Sequence, residues 1–575
     1  MTWRQQIVVR PSANAVGVLF VVALLVLHTQ VHAATTNTPK NNIYESSIPP
    51  VAECQIDKLV FVELARLNIE PVLCSDAVFV RRAFLDVIGT LPTAKEAREF
   101  IADSTLDKRR VLIDRLLERD EFADYWAMRW GDALRIKAEF PVNLWPNAAQ
   151  AYHRWVRASI AANKPYDEFV REMLTSSGSN FRVGPVNFYR AIQNRTPEGI
   201  AGAVALTFMG ARAEVWPSNR LADMAVFFSQ IGYKPTGEWK EEHVFWDPLG
   251  ATKLAGSTAP GRPAIAMVGV ASNNPPQLAL TNACTPRRET KFPDGTPVTL
   301  SPDHDPREVF ADWLITPKNP WFTRAAVNRI WAWLLGRGIV HESDDIRVGN
   351  PASNPALLVY LDKEFVASGY DMKKLYRQIL NSKTYQLSSM PRNNSPPAAA
   401  QFARYPLRRL DAEVLIDAIN KVTGASDLYT SPIPEPFTYI PENMPAIAIA
   451  DGSITSPFLA LFGRSARATG MENERNNRPV AAQWLHLLNS SHIQRKLDRG
   501  PALQALIDSG KSRTEIITEL YLTILSRFPT AEEIAVAKAY GSAPAAGQPA
   551  RPKRREEWVD VAWALINSAE FLYRH

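Results

Sequence analysis

The sequence predicts a mainly α protein: two or three helical domains with a small β-containing insert. Three observations predict it. Apolar residues recur at spacings of three to five from about residue 56 to 230, and again from Pro306 onward. Helix-start signatures punctuate both stretches. Between them, residues 234–303 change character, with frequent Gly and Pro and short runs of strand-forming residues.

The chain begins with a secretory signature. Arg4 and Arg10 form a positive start without an acidic residue, and Ala15–Leu27 is an unbroken apolar run of 13 residues. Val31-His32-Ala33 then fits a small-x-small cleavage site, so residues 1–33 are expected to be removed and Ala34 to lead the mature chain. An apolar run of that length rises only about 20 Å as a helix, against a hydrocarbon core of about 30 Å. A cleaved signal is therefore favoured over a retained anchor. No other stretch could span a membrane, and a periplasmic or extracellular location is expected.

Residues 34–50, rich in Thr, Asn, Ser and Pro, read as a flexible leader. A first helical domain is expected over 51–233. Leu112, Leu116, Leu117, Phe122, Tyr125, Trp126 and Trp130 mark its apolar face, and Thr93 with Glu96 forms a capping box just after Pro92. In the insert, His243–Trp246 and Ala264–Val270 read as strands. A second helical domain follows over 304–575. There Asn354 and Pro355 are an N-cap and first-turn pair opening the helix of Leu357, Leu358 and Leu361. A Pro/Asn/Ala linker lies near 391–402, and 430–456 is Pro-rich and irregular.

Two short patterns repeat. Leu91-Pro92-Thr93-Ala94-Lys95-Glu96 echoes Phe528-Pro529-Thr530-Ala531-Glu532-Glu533. Asn-Ser pairs at 381–382, 489–490 and 567–568 precede Tyr385, Ile493 and Phe571 by three residues from the Ser. They read as a helix stop and restart, with Asn left-handed and Ser capping the next turn.

Composition excludes several classes. With 46% apolar and 22% charged residues the chain is globular, and three cysteines are too few for a disulfide scaffold or a four-Cys metal cluster. Formal net charge is +6, and loss of the signal's two arginines lowers it to +4, which is weak for nucleic-acid binding. The densest basic run, Arg551-Pro552-Lys553-Arg554-Arg555, reads as a solvated loop. In an oxidising compartment Cys54 and Cys74, flanking the helical segment Ile56–Ile69, are disulfide candidates, leaving Cys284 without a nearby base.

Few residues point to chemistry. Seven histidines follow the signal, and no two stand four apart, so no metal site is expected. Asp303-His304-Asp305, before Pro306, reads as a helix cap. There is no Gly-x-Ser-x-Gly and no phosphate loop, so catalytic residues stay unassigned and the chain leans away from an enzyme. Arg324, Asn328 and Arg329 share one helical face, and Asp344, Asp345 and Arg347 follow the turn at Gly336-Arg337-Gly338. Arginine–carboxylate pairs there would anchor loop to helix, or hold an anionic ligand. Of the many tryptophans, Trp126, Trp130, Trp155, Trp321, Trp331 and Trp333 read as core. Trp145, in Asn143-Leu144-Trp145-Pro146-Asn147, reads as an exposed loop residue able to stack on a sugar ring.

Longer motifs carry a resemblance. Phe79-Val80-Arg81-Arg82-Ala83-Phe84-Leu85-Asp86-Val87-Ile88-Gly89-Thr90-Leu91-Pro92-Thr93 resembles the planctomycete cytochrome-like secreted domain. Asn328-Arg329-Ile330-Trp331-Ala332 and Gly336-Arg337-Gly338-Ile339-Val340 resemble the planctomycete surface domain that usually follows it. The likeness covers roughly 56–230 and 305–575. It implies a secreted, mostly helical protein associated with c-type cytochrome modules or with secreted sulfatase- or phosphatase-like proteins, and no known reaction.

The departures are informative. Many such proteins carry Cys-x-x-Cys-His, the c-type haem attachment pattern, after a Phe-x-Gly. Here Phe208-Met209-Gly210 is followed only by Ala211-Arg212-Ala213-Glu214-Val215 before Trp216. A Cys-Glu-Cys-Glu-Arg run after Phe-Gly-Arg is represented by Met471-Glu472-Asn473-Glu474-Arg475 after Phe462-Gly463-Arg464. Both losses remove thiols, which implies that the two sites work together. The resemblance therefore implies a haem-free interaction or surface protein without a cofactor. Its expected partner is a secreted protein that processes polysaccharides or sulfate esters. Two alternatives stand: a glycan binder or enzyme using the loop Trp and the Arg/Asp cluster, or a redox protein with non-covalent haem. Polysaccharide is a second candidate partner; nucleic acid is not.

Overall fold

A computed structural model describes residues 42–250, 288–540 and 555–575. The signal peptide, the run Ala264–Val270, Cys284 and all but the last residue of the basic cluster fall outside them. Helices dominate, and the described strands make only three small antiparallel sheets. The fold is mainly α, as its periodicity requires.

Helix starts follow their local chemistry. Thr93 Oγ1 accepts from Glu96 N at 3.1 Å while Glu96 returns a carboxylate oxygen to Thr93 N at 2.8 Å. Thr530 and Glu533 repeat that exchange at 3.2 and 2.7 Å, so the sequence echo is a shared cap. Each such cap contributes about 1 kcal/mol. The Asn-Ser pairs also share a mechanism. Ser382, Ser490 and Ser568 accept from the backbone N–H of Tyr385, Ile493 and Phe571. The expected left-handed Asn is corrected: Asn381, Asn489 and Asn567 do not have positive φ. Asn381 and Asn567 instead donate to carbonyls one turn back, at 2.9 Å each, and the Ser alone breaks the helix. Asp305 caps Arg307 N at 2.9 Å, and Asn354 caps Leu357 N at 3.0 Å.

The strand expected at His243–Trp246 is present as Glu242–Trp246. It lies between Ile231–Pro235 and Gly178–Ser179, the latter contributed by the first helical stretch. A hairpin pairs Glu289–Lys291 with Pro297–Thr299, and Arg408–Arg409 pairs with Tyr573–Arg574.

The described helices share one buried apolar cluster running from Ile56 to Leu572. The helix Asp76–Val87 shows how sequence-distant segments join. Ten of its twelve residues are buried, charged ones included. Arg81 donates to Ile524 O and Phe571 O at 2.7 and 2.9 Å, and Arg82 to Tyr385 O and Leu387 O at 2.6 and 2.9 Å. Asp86 accepts from the hydroxyls of Tyr385 and Tyr405, both at 2.8 Å, and from Arg574 at 3.1 Å. A buried charge is tolerated only when its partners are in place, so this helix specifies where the C-terminal segments dock. Gly89 follows it at φ +64°, where a Cβ would stand 2.5 Å from the Tyr125 ring, so only glycine lets that turn close.

Candidate functional site

The polar cluster expected from sequence divides into parts. On the helix Phe322–Leu335, Arg324 turns to Asp362 at 3.4 Å and takes no part in the rest. Asn328 clamps the following turn, donating to Val340 O at 3.0 Å and accepting from Val340 N at 2.9 Å. Arg347 pairs locally with Asp345 at 3.0 Å, with the arginine exposed. The remaining pair is the centre. Arg329, buried, donates to Thr207 O at 2.6 Å, to Leu206 O at 3.1 Å and to Asp344 Oδ1 at 3.1 Å. Asp344 Oδ2 accepts from Glu472 N at 2.7 Å. One carboxylate thus ties the end of the helix Pro197–Met209 to the segment Met471–Arg475. Ile346 N adds a bond to Gly210 O at 2.8 Å.

Every polar side chain of that second segment except Asn473 is taken up in holding structure. Glu474 accepts from the backbone of Ala468, Thr469 and Gly470. Arg475 reaches Asp132 at 2.7 Å and Glu413 at 2.6 Å. Burial opposes its charge, but those carboxylates outweigh it and hold the guanidinium protonated. Glu472 accepts from Trp333 Nε1 at 2.8 Å. The cavity among Arg329, Trp333, Asp344, Met471 and Glu472 measures only ≈ 10 Å³, about enough for a single water. This cluster is a structural knot rather than a ligand pocket.

Trp145 leads to a different place. It is the N-cap of the helix Pro146–Ala161, held at φ +73°, ψ 149°. Its ψ suits the proline that follows, but a positive φ there strains any residue with a Cβ. The segment before it is fixed from a distance: Ala138 N donates to Asp451 Oδ1 at 2.8 Å and Glu139 N to Ser453 Oγ at 2.9 Å. Trp145 N then donates to Ala138 O at 3.0 Å. The ring is half-buried, not exposed as the loop position suggested, because it packs on Phe437 with centroids 5.3 Å apart.

Phe437 forms one wall of a groove of ≈ 600 Å³, within the range of small-ligand sites. Tyr439 and Phe181 also line it, Tyr439 being 72% exposed. Asn147, Gln150, Arg154 and Arg182 supply polar groups along it. Arg154 is exposed, and Arg182 is held only loosely by Glu241 and Glu238, at 3.6 and 3.9 Å. Glu238 and Asp451 line it as carboxylates, and Lys240, outside the lining, stands 5.9 Å from the Trp145 ring. Thr438 Oγ1 and Asp451 Oδ2, both on buried lining residues, have no hydrogen-bond partner. Sequence reasoning missed Phe437, Tyr439 and Asp451, because the Pro-rich stretch 430–456 carries no periodicity. A cluster of aromatics in an irregular segment was the signal available.

Residues 55–209 match the family described as "Protein of unknown function (DUF1549)", and residues 306–541 the family described as "Protein of unknown function (DUF1553)". These are the planctomycete cytochrome-like and surface domains. The chain belongs to the family that pairs them. No curated protein and no solved structure matches the chain. Trp145 stands in the first domain of the pair and Phe437 in the second, so the groove is completed only where both are present.

Within this paired family, c-type haem needs two thiols and an imidazole in one place. Arg329 and Asp344 link Leu206 and Thr207, just ahead of the first departing segment, to Glu472 in the second. The residues lining that meeting point include no thiol and no imidazole, and the space is too small for a porphyrin. They do not fit a c-type haem. Among the described residues no group of three His, Cys, Asp or Glu side chains could hold a metal ion, and no helix is long and apolar enough to cross a membrane.

The disulfide expectation is corrected. Cys54 and Cys74 are separate thiols. Cys54 stands at a helix start and donates to Asp57 at 3.2 Å. Cys74 is buried, its backbone bonded to Gln386 O and bridged to Glu45. Each sulfur is held by a local partner or by burial, which the flanking positions in sequence did not reveal.

Proposed function

We propose that this chain is a secreted or periplasmic, haem-free surface protein that binds acidic polysaccharide in the groove beside Trp145. It would act alongside a secreted protein that processes polysaccharides or sulfate esters. The observation that carries the reading is the strained Trp145 set against Phe437 at the edge of a groove with unsatisfied polar groups. Aromatic faces offer flat apolar platforms for sugar rings, Asn147 and Gln150 can exchange hydrogen bonds with hydroxyls, and the exposed Arg154 and Arg182 favour carboxylate or sulfate substituents. The N-terminal signature supports the location, and the family resemblance supports the partner class. Affinity electrophoresis of the purified protein through gels containing alginate, dextran sulfate or neutral dextran tests it. Retardation by an acidic polymer and not by dextran is expected, and equal mobility in all three gels would refute the reading.

A further inference from the structure

A second cavity, of ≈ 530 Å³, lies away from the groove and the polar cluster. The helices Ala481–Asn489 and Ser491–Arg499 meet at the Ser490 break and bring two imidazoles face to face. His492 Nδ1 stands 3.5 Å from His486 Nε2, and His492 Nε2 stands 2.7 Å from Asp427 Oδ1. Lys496 holds the other carboxylate oxygen at 3.3 Å and is anchored to Asn420 and Ser426 O. The Phe458 ring is edge-on to both imidazoles, at 5.7 and 6.0 Å. Arg495 and Arg499, one turn apart on the same helix, also line the cavity; both are exposed and form no ion pair with a carboxylate among the described residues.

The arrangement has a direction. Asp427 is held below its ordinary value: burial works against its charge, but the bond from His492 and the Lys496 ammonium outweigh it. An ionised Asp427 accepts a hydrogen bond from His492 Nε2–H and leaves Nδ1 as the acceptor directed at His486. Burial, and then the neighbouring His492, hold His486 below its ordinary value, and a bound anion would offset both. The charged groups around it are Asp427 with Asp417 behind it, Lys496, Arg495 and Arg499. Two guanidinium groups without a carboxylate partner among the described residues, Arg495 bonding only Ser491 O at 3.0 Å, suit an oxyanion beside an imidazole pair, and Phe458 gives the rest of the ligand an apolar wall.

We propose that this cavity binds a small ligand bearing a phosphate or sulfate group, with Arg495 and Arg499 holding the oxyanion and His492–His486 taking up one proton as it binds. The proposal is independent of the polysaccharide groove.

Calorimetric titration of the full-length mature protein with inorganic phosphate, and separately with inorganic sulfate, at pH 6 and pH 8 in two buffers of different ionisation enthalpy, tests it. Saturable binding of at least one anion is expected, and for sulfate, which does not itself titrate over this range, or for phosphate after correction for its own ionisation, binding tighter at pH 6 with net proton uptake. The tighter of the two shows which oxyanion the site prefers. The double variant Arg495→Ala/Arg499→Ala, whose side chains are solvent-exposed, should weaken binding at least tenfold, and His492→Gln should abolish the proton uptake. Absence of saturable binding for both anions, or unchanged affinity in the double variant, would overturn the proposal. Retardation of the double variant by the acidic polymer, relative to its own mobility in neutral dextran, should match that of the wild type, which separates this site from the groove.

Discussion

Trp145 and Phe437, 292 positions apart in sequence, pack with ring centroids 5.3 Å apart and planes inclined by 60°. Each comes from a different domain of the pair. Asp451 and Ser453 of the second domain also hold the 138–139 backbone of the first, on which Trp145 N is bonded.

That contact is bought with backbone strain at Trp145, which has a testable signature. At φ +73° glycine is relaxed and alanine is not. Trp145→Gly should therefore be more stable than Trp145→Ala by about 1 kcal/mol, the reverse of the order on a helix. Denaturant midpoints of the two variants read this directly. Alanine equal to or above glycine would show the backbone to be unstrained.

Asp344 predicts a larger effect. Removing it leaves the buried Arg329 guanidinium without its carboxylate and frees Glu472 N. Loss of one partner of a buried pair costs about 3–5 kcal/mol, so Asp344→Ala should lower the unfolding free energy by that order. The segment Met471–Arg475 should also become the first site cut in limited proteolysis. A variant as stable as wild type would mean that the knot at Arg329 is dispensable.

The knot and much of the helix packing illustrate what the sequence reveals and what it conceals. Local chemistry was legible: Thr93 with Glu96, Asn354 with Pro355, and the capping serines follow from spacing alone. The aromatic core was legible as well, since Trp126, Trp130 and Trp331 recur at helical intervals and are buried. The charges of Arg81, Arg82 and Asp86 could not be interpreted, because their partners Ile524, Tyr385 and Arg574 lie hundreds of residues away. Arg324 and Arg329 share a face in sequence yet serve different neighbours, since five positions is more than one turn. The pairing of His486 with His492 is hidden in sequence for a related reason. Their spacing of six suits no single helix, and only the break at Ser490 turns them together.

Buried titratable groups predict an acid transition. Asp132, Asp411 and Glu413 are held below the ordinary carboxylate range, burial opposing their charge and Arg475, Arg129 and Arg574 outweighing it. Groups with a lowered folded pKa add stability above their unfolded values, roughly 4, and lose it as pH falls through the folded ones. His153, pushed down to about 3 by burial, loses stability in the same direction from pH 6.5 downward. Asp417, pushed up to about 7 mainly by burial, has the opposite sign: what it contributes is present below its unfolded value and lost as pH rises through 7. These last two offset each other between pH 7 and 4. Guanidinium midpoints should accordingly change little over that range and fall steeply below pH 4, less steeply in Asp132→Asn. A midpoint unchanged from pH 5 to 3 would contradict the assignment.

The thiols give a chemical check. Burial pushes Cys54 up to about 11, so the native protein should alkylate there slowly at pH 8. After denaturation without reductant, peptides carrying Cys54 and Cys74 should both be fully alkylated. A crosslinked peptide pair would restore the disulfide expectation.

The central claim is that the Trp145–Phe437 groove binds acidic polysaccharide, and direct titration with an acidic hexasaccharide tests it most closely. Wild-type protein should bind saturably with quenching of tryptophan fluorescence. Tyr439→Ala, at an exposed side chain, and Arg154→Ala should each weaken binding about tenfold, or roughly 1.4 kcal/mol, without shifting the thermal midpoint. Equal affinity in the wild type and both variants, or no saturable binding by a correctly folded wild type, would contradict it.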